Sequence, residues 1–228
     1  MFDILLLDLD DTILDFHKAE GIAIRKTFSF FGIDPTDEVV ARYRVINKEH
    51  WERLERKELE REQVLVGRFA QLFAELGVKA DPTACARQYE QFLSQGHWFL
   101  PGAEEALKAL SAKYRLFLVS NGTAIVQNGR LDSSGIRKYF EKIFISQEIG
   151  ANKPDIRYFD AVFAQIPDFD KSRAIIVGDS LSSDILGGIN AGIAACWVNP
   201  HHKSANPAIA ADYEIERLAQ LGALLETL

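Results

Sequence analysis

Cysteine is scarce: the 228-residue chain holds two, Cys85 and Cys196, far apart and in no Cys-x-x-Cys arrangement. That argues against a disulfide-stapled scaffold and predicts two reduced thiols in a cytoplasmic protein. No apolar run approaches the roughly 20 residues of a membrane helix, so no membrane partner is expected. No basic segment precedes the first apolar run, which predicts no secretory leader. Positive charge is also short, with 26 Lys and Arg against 33 Asp and Glu and a net charge of -7. A general basic surface for a nucleic acid polymer is therefore not expected, whereas a small anion held in a local pocket remains open. The five histidines show no paired metal-ligand spacing, and His201-His202 stands without nearby cysteines. A histidine zinc site is unsupported, and surface or packing roles are expected for them.

What the chain does hold is ordinary for a globular protein, 47% apolar and 26% charged residues. Residues 2–9 form a nearly continuous apolar run, as do Leu116–Val119, Ile143–Ile145, Ala174–Val177 and Ala194–Val198. Continuous rather than alternating runs suit inner strands of a parallel sheet covered on both faces. Between them, Ala103, Ala106, Leu107 and Leu110 follow helical spacing, as do Phe159, Val162, Phe163 and Ile166. Strands alternating with helices predict an α/β fold, an open doubly wound parallel sheet.

Residues 16–100 break that rhythm, with no buried strand and an apolar stripe at Leu65, Phe69, Leu72, Phe73 and Leu76. Glu49 to Glu62 is densely charged, and Pro35, Asp81-Pro82 and Pro101-Gly102 read as turns or linkers. A βα connection usually takes about 2–6 residues, so this stretch needs its own explanation. It reads as a helical domain, a lid inserted after the first strand (16–100), with the core formed by 1–15 and 101–228.

Ligands in open α/β sheets bind beyond the carboxyl ends of the strands. The first run ends in Asp8-Leu9-Asp10-Asp11-Thr12 and the second in Ser120-Asn121-Gly122-Thr123. The third is followed by Ser146-Gln147-Glu148 and then Asn152-Lys153-Pro154, the fourth by Gly178-Asp179-Ser180 with Asp184 further on. Alternation along a strand would point Asp8 and Asp10 the same way. Three neighbouring carboxylates repel one another unless a cation intervenes, and an oxygen-rich site with few protein ligands suits Mg²⁺. Each piece alone reads as a cap, a turn or a solvated lysine. All four, in order, each behind its own buried strand, point to a site.

These residues resemble the four motifs of the haloacid dehalogenase-like (HAD) hydrolase superfamily: Asp8-x-Asp10-x-Thr12, Ser120, Lys153-Pro154, and Gly178-Asp179-x4-Asp184. The resemblance implies a Rossmann-like core with a helical cap, and hydrolysis of a small-molecule phosphomonoester. Asp8 would attack phosphorus, and Asp10 would protonate the leaving oxygen and later deprotonate water. The Asp8 carboxylate, the Asp10 backbone carbonyl and Asp179 would bind Mg²⁺. Asp184 would orient metal-bound water or Lys153, and Thr12 would stabilise the loop. Ser120, the Asn121 amide and Lys153 would hold the phosphoryl oxygens. True dehalogenases lack the second acid, so Asp10 favours a phosphatase. Asp11 and Asp15 are left as polar loop residues.

Ser183–Gly192 and Cys196–His202 further resemble a pyrimidine 5'-nucleotidase subgroup, with weaker support from Asn47–Trp51 and Gly67–Phe69. This implies nucleoside monophosphates such as UMP, dUMP and dTMP as substrates. Departures are Ser180, where threonine is common, and Asn199-Pro200. Phe16 and Trp51 would either stack on a base or fill the cap core. The alternatives are a HAD phosphatase for a sugar phosphate or phosphoglycolate, and a phospho-accepting receiver module, which the long insertion disfavours.

Overall fold

A computed structural model describes residues 2–204 and 206–228. The chain forms two compact units, Met1–Phe16 with His97–Leu228, and His17–Gly96.

The second unit is helical, built from α1 (Phe16–Phe30, its first residue in the other unit), α2 (Asp37–Glu55), α3 (Arg61–Leu76) and α4 (Pro82–Leu93). Local sequence sets its ends. The Thr36 side chain accepts from the Val39 amide at the start of α2. Asp81-Pro82, expected as a turn or linker, marks the boundary where α4 opens: Asp81 Oδ1 accepts from the Thr83 amide at 2.9 Å, and Pro82 occupies the first turn. The rings of Phe28, Tyr43, Phe69 and Tyr89 make the centre of this unit. The expected stripe on α3 holds in its middle, where Phe69, Leu72 and Phe73 are buried. Leu76, however, is exposed, and Val64 and Arg68 share the inner face instead.

The first unit carries six parallel strands: β1 (Ile4–Leu7), β2 (Arg115–Ser120), β3 (Lys142–Ile145), β4 (Ala174–Gly178), β5 (Ala194–Val198) and β6 (Tyr213–Ile215). Their order is β3-β2-β1-β4-β5-β6, with every pair parallel. The first five strands lie where the apolar runs are; β6 is additional. Helices α5 (Ala103–Ser111), α6 (Ala124–Ser134), α7 (Ser146–Ile149), α8 (Ile156–Phe163), α9 (Leu186–Ala191) and α10 (Leu221–Leu225) complete the unit. Ile166 lies past the end of α8 yet is buried.

Alternation within each run divides it between two cores. Leu5, Leu7, Leu116, Leu118, Ile175 and Val177 face α5, α6 and α10. Ile4, Leu6, Phe117, Val119, Ala174 and Ile176 face α8 and α9. All four residues of β1 are fully buried, and each leucine or isoleucine so buried contributes about 1.5–3 kcal/mol. The direction of winding reverses between β1 and β4, which opens a crevice at their carboxyl ends. Among the described residues, no helix is long and apolar enough to cross a membrane.

Candidate active site

Asp8 follows β1 directly, and its amide donates to the Val177 carbonyl at 2.9 Å, prolonging the ladder to β4. The strand stops at Leu7, so strand alternation does not set the directions of Asp8 and Asp10. The chain turns tightly instead: Asp10 and Leu14 pair as an isolated bridge, and Asp11 adopts a left-handed φ of 54°. The Asp11 carboxylate accepts from the Phe16 amide at 2.9 Å, so it shapes the start of α1 rather than serving only as loop polarity.

Lys153 is not a solvated lysine. Its ammonium is buried and donates to Asp8 Oδ1 at 2.7 Å, Asp184 Oδ1 at 2.6 Å and the Val119 carbonyl at 2.9 Å. All three of its protons are therefore used. Asn121 anchors the loop that delivers it. Its Nδ2 donates to the Lys153 carbonyl at 2.9 Å and its Oδ1 accepts from the Lys153 amide at 2.8 Å. Asp184 lies in a single π-helical turn, Leu181–Ile185, between β4 and α9. Its second oxygen accepts from the Ser180 amide at 3.1 Å. Both of its oxygens are thus engaged by protein donors, which suits an orienting residue.

Carboxylate oxygens of Asp8, Asp179 and Asp184 lie within 4.8 Å of one another. Burial, helped by Asp184 and Asp10 and opposed by Lys153, pushes the Asp8 carboxyl up to about 8. Burial, Asp184, Asp8 and Asp11 likewise push Asp179 well above the usual carboxylate range. For Lys153 burial acts downward, but the charges of Asp184 and Asp8 outweigh it and hold the ammonium above its usual value. With all three carboxylates ionised, the single ammonium would leave two negative charges uncompensated. Hard oxygen donors with uncompensated charge fit Mg²⁺. The Asp10 carboxylate is outside this group.

Asp10 is held from α6 instead. Arg130 donates to its Oδ1, and Gln127 Nε2 donates to its Oδ2 at 2.7 Å. The same Gln127 nitrogen donates to Ser120 Oγ at 2.7 Å, and the Gly122 amide donates to that oxygen at 3.2 Å. Sequence reading missed Gln127 and Arg130; their signal was an i, i+3 pair on the helix following the second motif. Thr12 is buried in the same turn. Trp197 Nε1 donates to the Asp179 carbonyl at 2.8 Å, tying β5 to the site. His201 and His202 are exposed on the loop after β5, as surface roles require. Phe16 lies 5.9 Å from the Arg130 guanidinium, and Trp51 lies 5.7 Å from that of Arg61.

The model of haloacid dehalogenase-like hydrolases matches residues 5–198. The chain belongs to this family. This HAD hydrolase is 40% identical to the HAD-hydrolase YfnB of Bacillus subtilis, over 95% of its own length and 92% of that protein. A crystal structure of YfnB with magnesium bound superposes with a TM-score of 0.94, covering 98% of each chain at 39% identity. The HAD hydrolase is also 35% identical to the pyrimidine 5'-nucleotidase PynA of Streptococcus pneumoniae, over 94% of its length and 91% of PynA. With the pyrimidine 5'-nucleotidase YjjG of Escherichia coli the identity is 32%, over 98% of both.

Proposed function

We propose that this HAD hydrolase is a magnesium-dependent phosphomonoesterase acting through an aspartyl-phosphate, with pyrimidine nucleoside 5'-monophosphates as substrates. The observation that carries the reading is the buried Asp8–Lys153–Asp184 group with a second acid, Asp10, two residues from the nucleophile. An Asp8 oxygen attacks phosphorus; the ester P–O bond breaks, its electron pair goes to the leaving oxygen, and Asp10 supplies the proton. A water then gives its proton to Asp10 and attacks the phosphorus. The bond to Asp8 breaks, restoring its carboxylate and releasing phosphate. Ser120 and the Asn121 amide hold the phosphoryl oxygens through both steps, while the Lys153 ammonium, bonded to Asp8 and Asp184, lends them its positive charge. Asp8, Asp179 and the Asp10 carbonyl would hold Mg²⁺, whose positive charge would offset repulsion between nucleophile and phosphate.

The near full-length likeness to PynA and YjjG supports the pyrimidine substrate class. A reducing, cytoplasmic setting is consistent with two buried thiols, each pushed up to about 12 by burial. The test is kcat/KM for a panel of nucleoside monophosphates, sugar phosphates and phosphoglycolate, with magnesium and with a chelator. Pyrimidine monophosphates should lead, turnover should need the metal, and Asp8→Asn should release no phosphate while staying folded. Equal or better use of sugar phosphates would remove the nucleotidase reading; near wild-type turnover by Asp8→Asn would remove the mechanism.

A further inference from the structure

Arg130 and Gln127 are both fully buried and lie three residues apart, on one face of α6. A guanidinium is costly to bury and is kept where a partner holds it. Here the partner is the carboxylate assigned to proton transfer. Arg130 occupies one Asp10 oxygen and Gln127 the other, so the plane of that carboxylate is set from α6. Arg130 Nη1 also donates to Gln127 Oε1 at 3.2 Å, which turns the amide so that its nitrogen faces Asp10 and Ser120. Gln127 lies directly against Gly122: a Cβ on that glycine would lie 2.4 Å from Nε2 and 2.5 Å from the carbons behind it. The amide therefore ties the proton-transfer carboxylate to the Ser120 hydroxyl, which is expected to meet the phosphoryl group.

We propose that Arg130 and Gln127 are positioning residues that aim Asp10 at the leaving oxygen. The proposal rests on the phosphomonoesterase reading above. It concerns proton delivery, so it predicts an effect that depends on the leaving group. A nucleoside monophosphate expels an alkoxide that needs a proton, whereas 4-nitrophenyl phosphate expels a stable phenolate that does not. The quantity to compare is kcat/KM, which reports the steps up to departure of that group and leaves out the later attack of water.

In the full-length enzyme with magnesium, Gln127→Leu should lower kcat/KM for UMP at least tenfold more than for 4-nitrophenyl phosphate, within the range of one misaligned general acid. Arg130→Met should show the same asymmetry and Arg130→Lys should recover most of it. If Arg130→Met fails to fold, Gln127→Leu decides alone. Added to Asp10→Asn, Gln127→Leu should cost nothing further on UMP, because the group it aims is already disabled. A loss that differs less than tenfold between the two esters would make the bracket a purely structural one and overturn the proposal. An inactive wild-type enzyme on both esters would sink the phosphomonoesterase reading, and this proposal with it. Active wild type with equal losses sinks the positioning role alone.

Discussion

Lys153 Nζ donates to Asp184 Oδ1 across 2.6 Å, and both side chains are 1% exposed. The bond links a loop after β3 to the π-helical turn after β4, and Lys153 adds Asp8 and the Val119 carbonyl to the same point. One ammonium thereby fixes the ends of three neighbouring strands, β1, β2 and β4. The same contacts that aim Asp8 also hold the unit together. Lys153→Met would leave two buried carboxylates without their counter-charge. Breaking a buried pair in this way costs about 3–5 kcal/mol. Urea unfolding of the metal-free protein should show that loss, and phosphate release should vanish with it. A loss below about 1 kcal/mol would mean that the lysine serves chemistry without supporting the fold.

Gly178 is the last residue of β4, and a Cβ there would lie 2.2 Å from both Cγ and Oδ2 of Asp184. Asp184 cannot swing away, because Lys153 holds one oxygen and the Ser180 amide the other. Gly178→Ala should therefore displace Asp184, destabilise the protein by about 1–3 kcal/mol and abolish most turnover. Gly222, in α10, has nothing within 4 Å of an added Cβ. Gly222→Ala is the matched control and should raise stability by about 0.4–1 kcal/mol. Thermal unfolding and activity of the two variants check both expectations. Equal effects would show that close approach at Gly178 is not the cause.

How much of the fold and site is readable from the chain depends on how far each signal reaches. The five inner strands are legible because burial on both faces demands uninterrupted apolar runs. β6 escapes notice because it has three residues and only Ile215 is buried. The acids, Ser120 and Lys153 are legible because each follows its own strand. Gln127 and Arg130 are not, because their meaning lies in Asp10, 117 and 120 residues away in sequence. Arg68 in α3 is hidden for a similar reason: arginine is ordinarily solvated, and only the fold brings Asn47 Oδ1 to within 2.7 Å of it.

Asp179 offers a test of the metal site that needs no turnover. A ligand that binds only the folded state stabilises it by about 2.7 kcal/mol at a hundred times its Kd. Magnesium should raise the melting temperature of the wild-type protein, and Asp179→Asn should remove most of that rise. The variant should itself be at least as stable without metal, since it deletes one of three mutually repelling carboxylates. An undiminished magnesium shift in Asp179→Asn would exclude this aspartate as a ligand.

Glu20 gives a pH-dependent expectation confined to the helical unit. Its carboxylate is buried, accepting from Asn47 Nδ2 at 2.9 Å and from Arg44 Nε at 3.1 Å. Burial outweighs the attraction of Arg44, His17 and Arg68 and raises its pKa above the ordinary 4.5. The folded protein thus holds a proton there more tightly than the unfolded chain does. The stability from this group is complete below pH 4.5 and is lost as pH rises through the higher folded value. Glu20→Gln cannot titrate, so the stability difference between variant and wild type should move in favour of glutamine as pH rises above 4.5. Denaturant unfolding across that range, with the variant's circular dichroism confirming an intact helical unit, measures the slope. A trend in the opposite direction would mean that the Arg44 ion pair, rather than burial, governs Glu20.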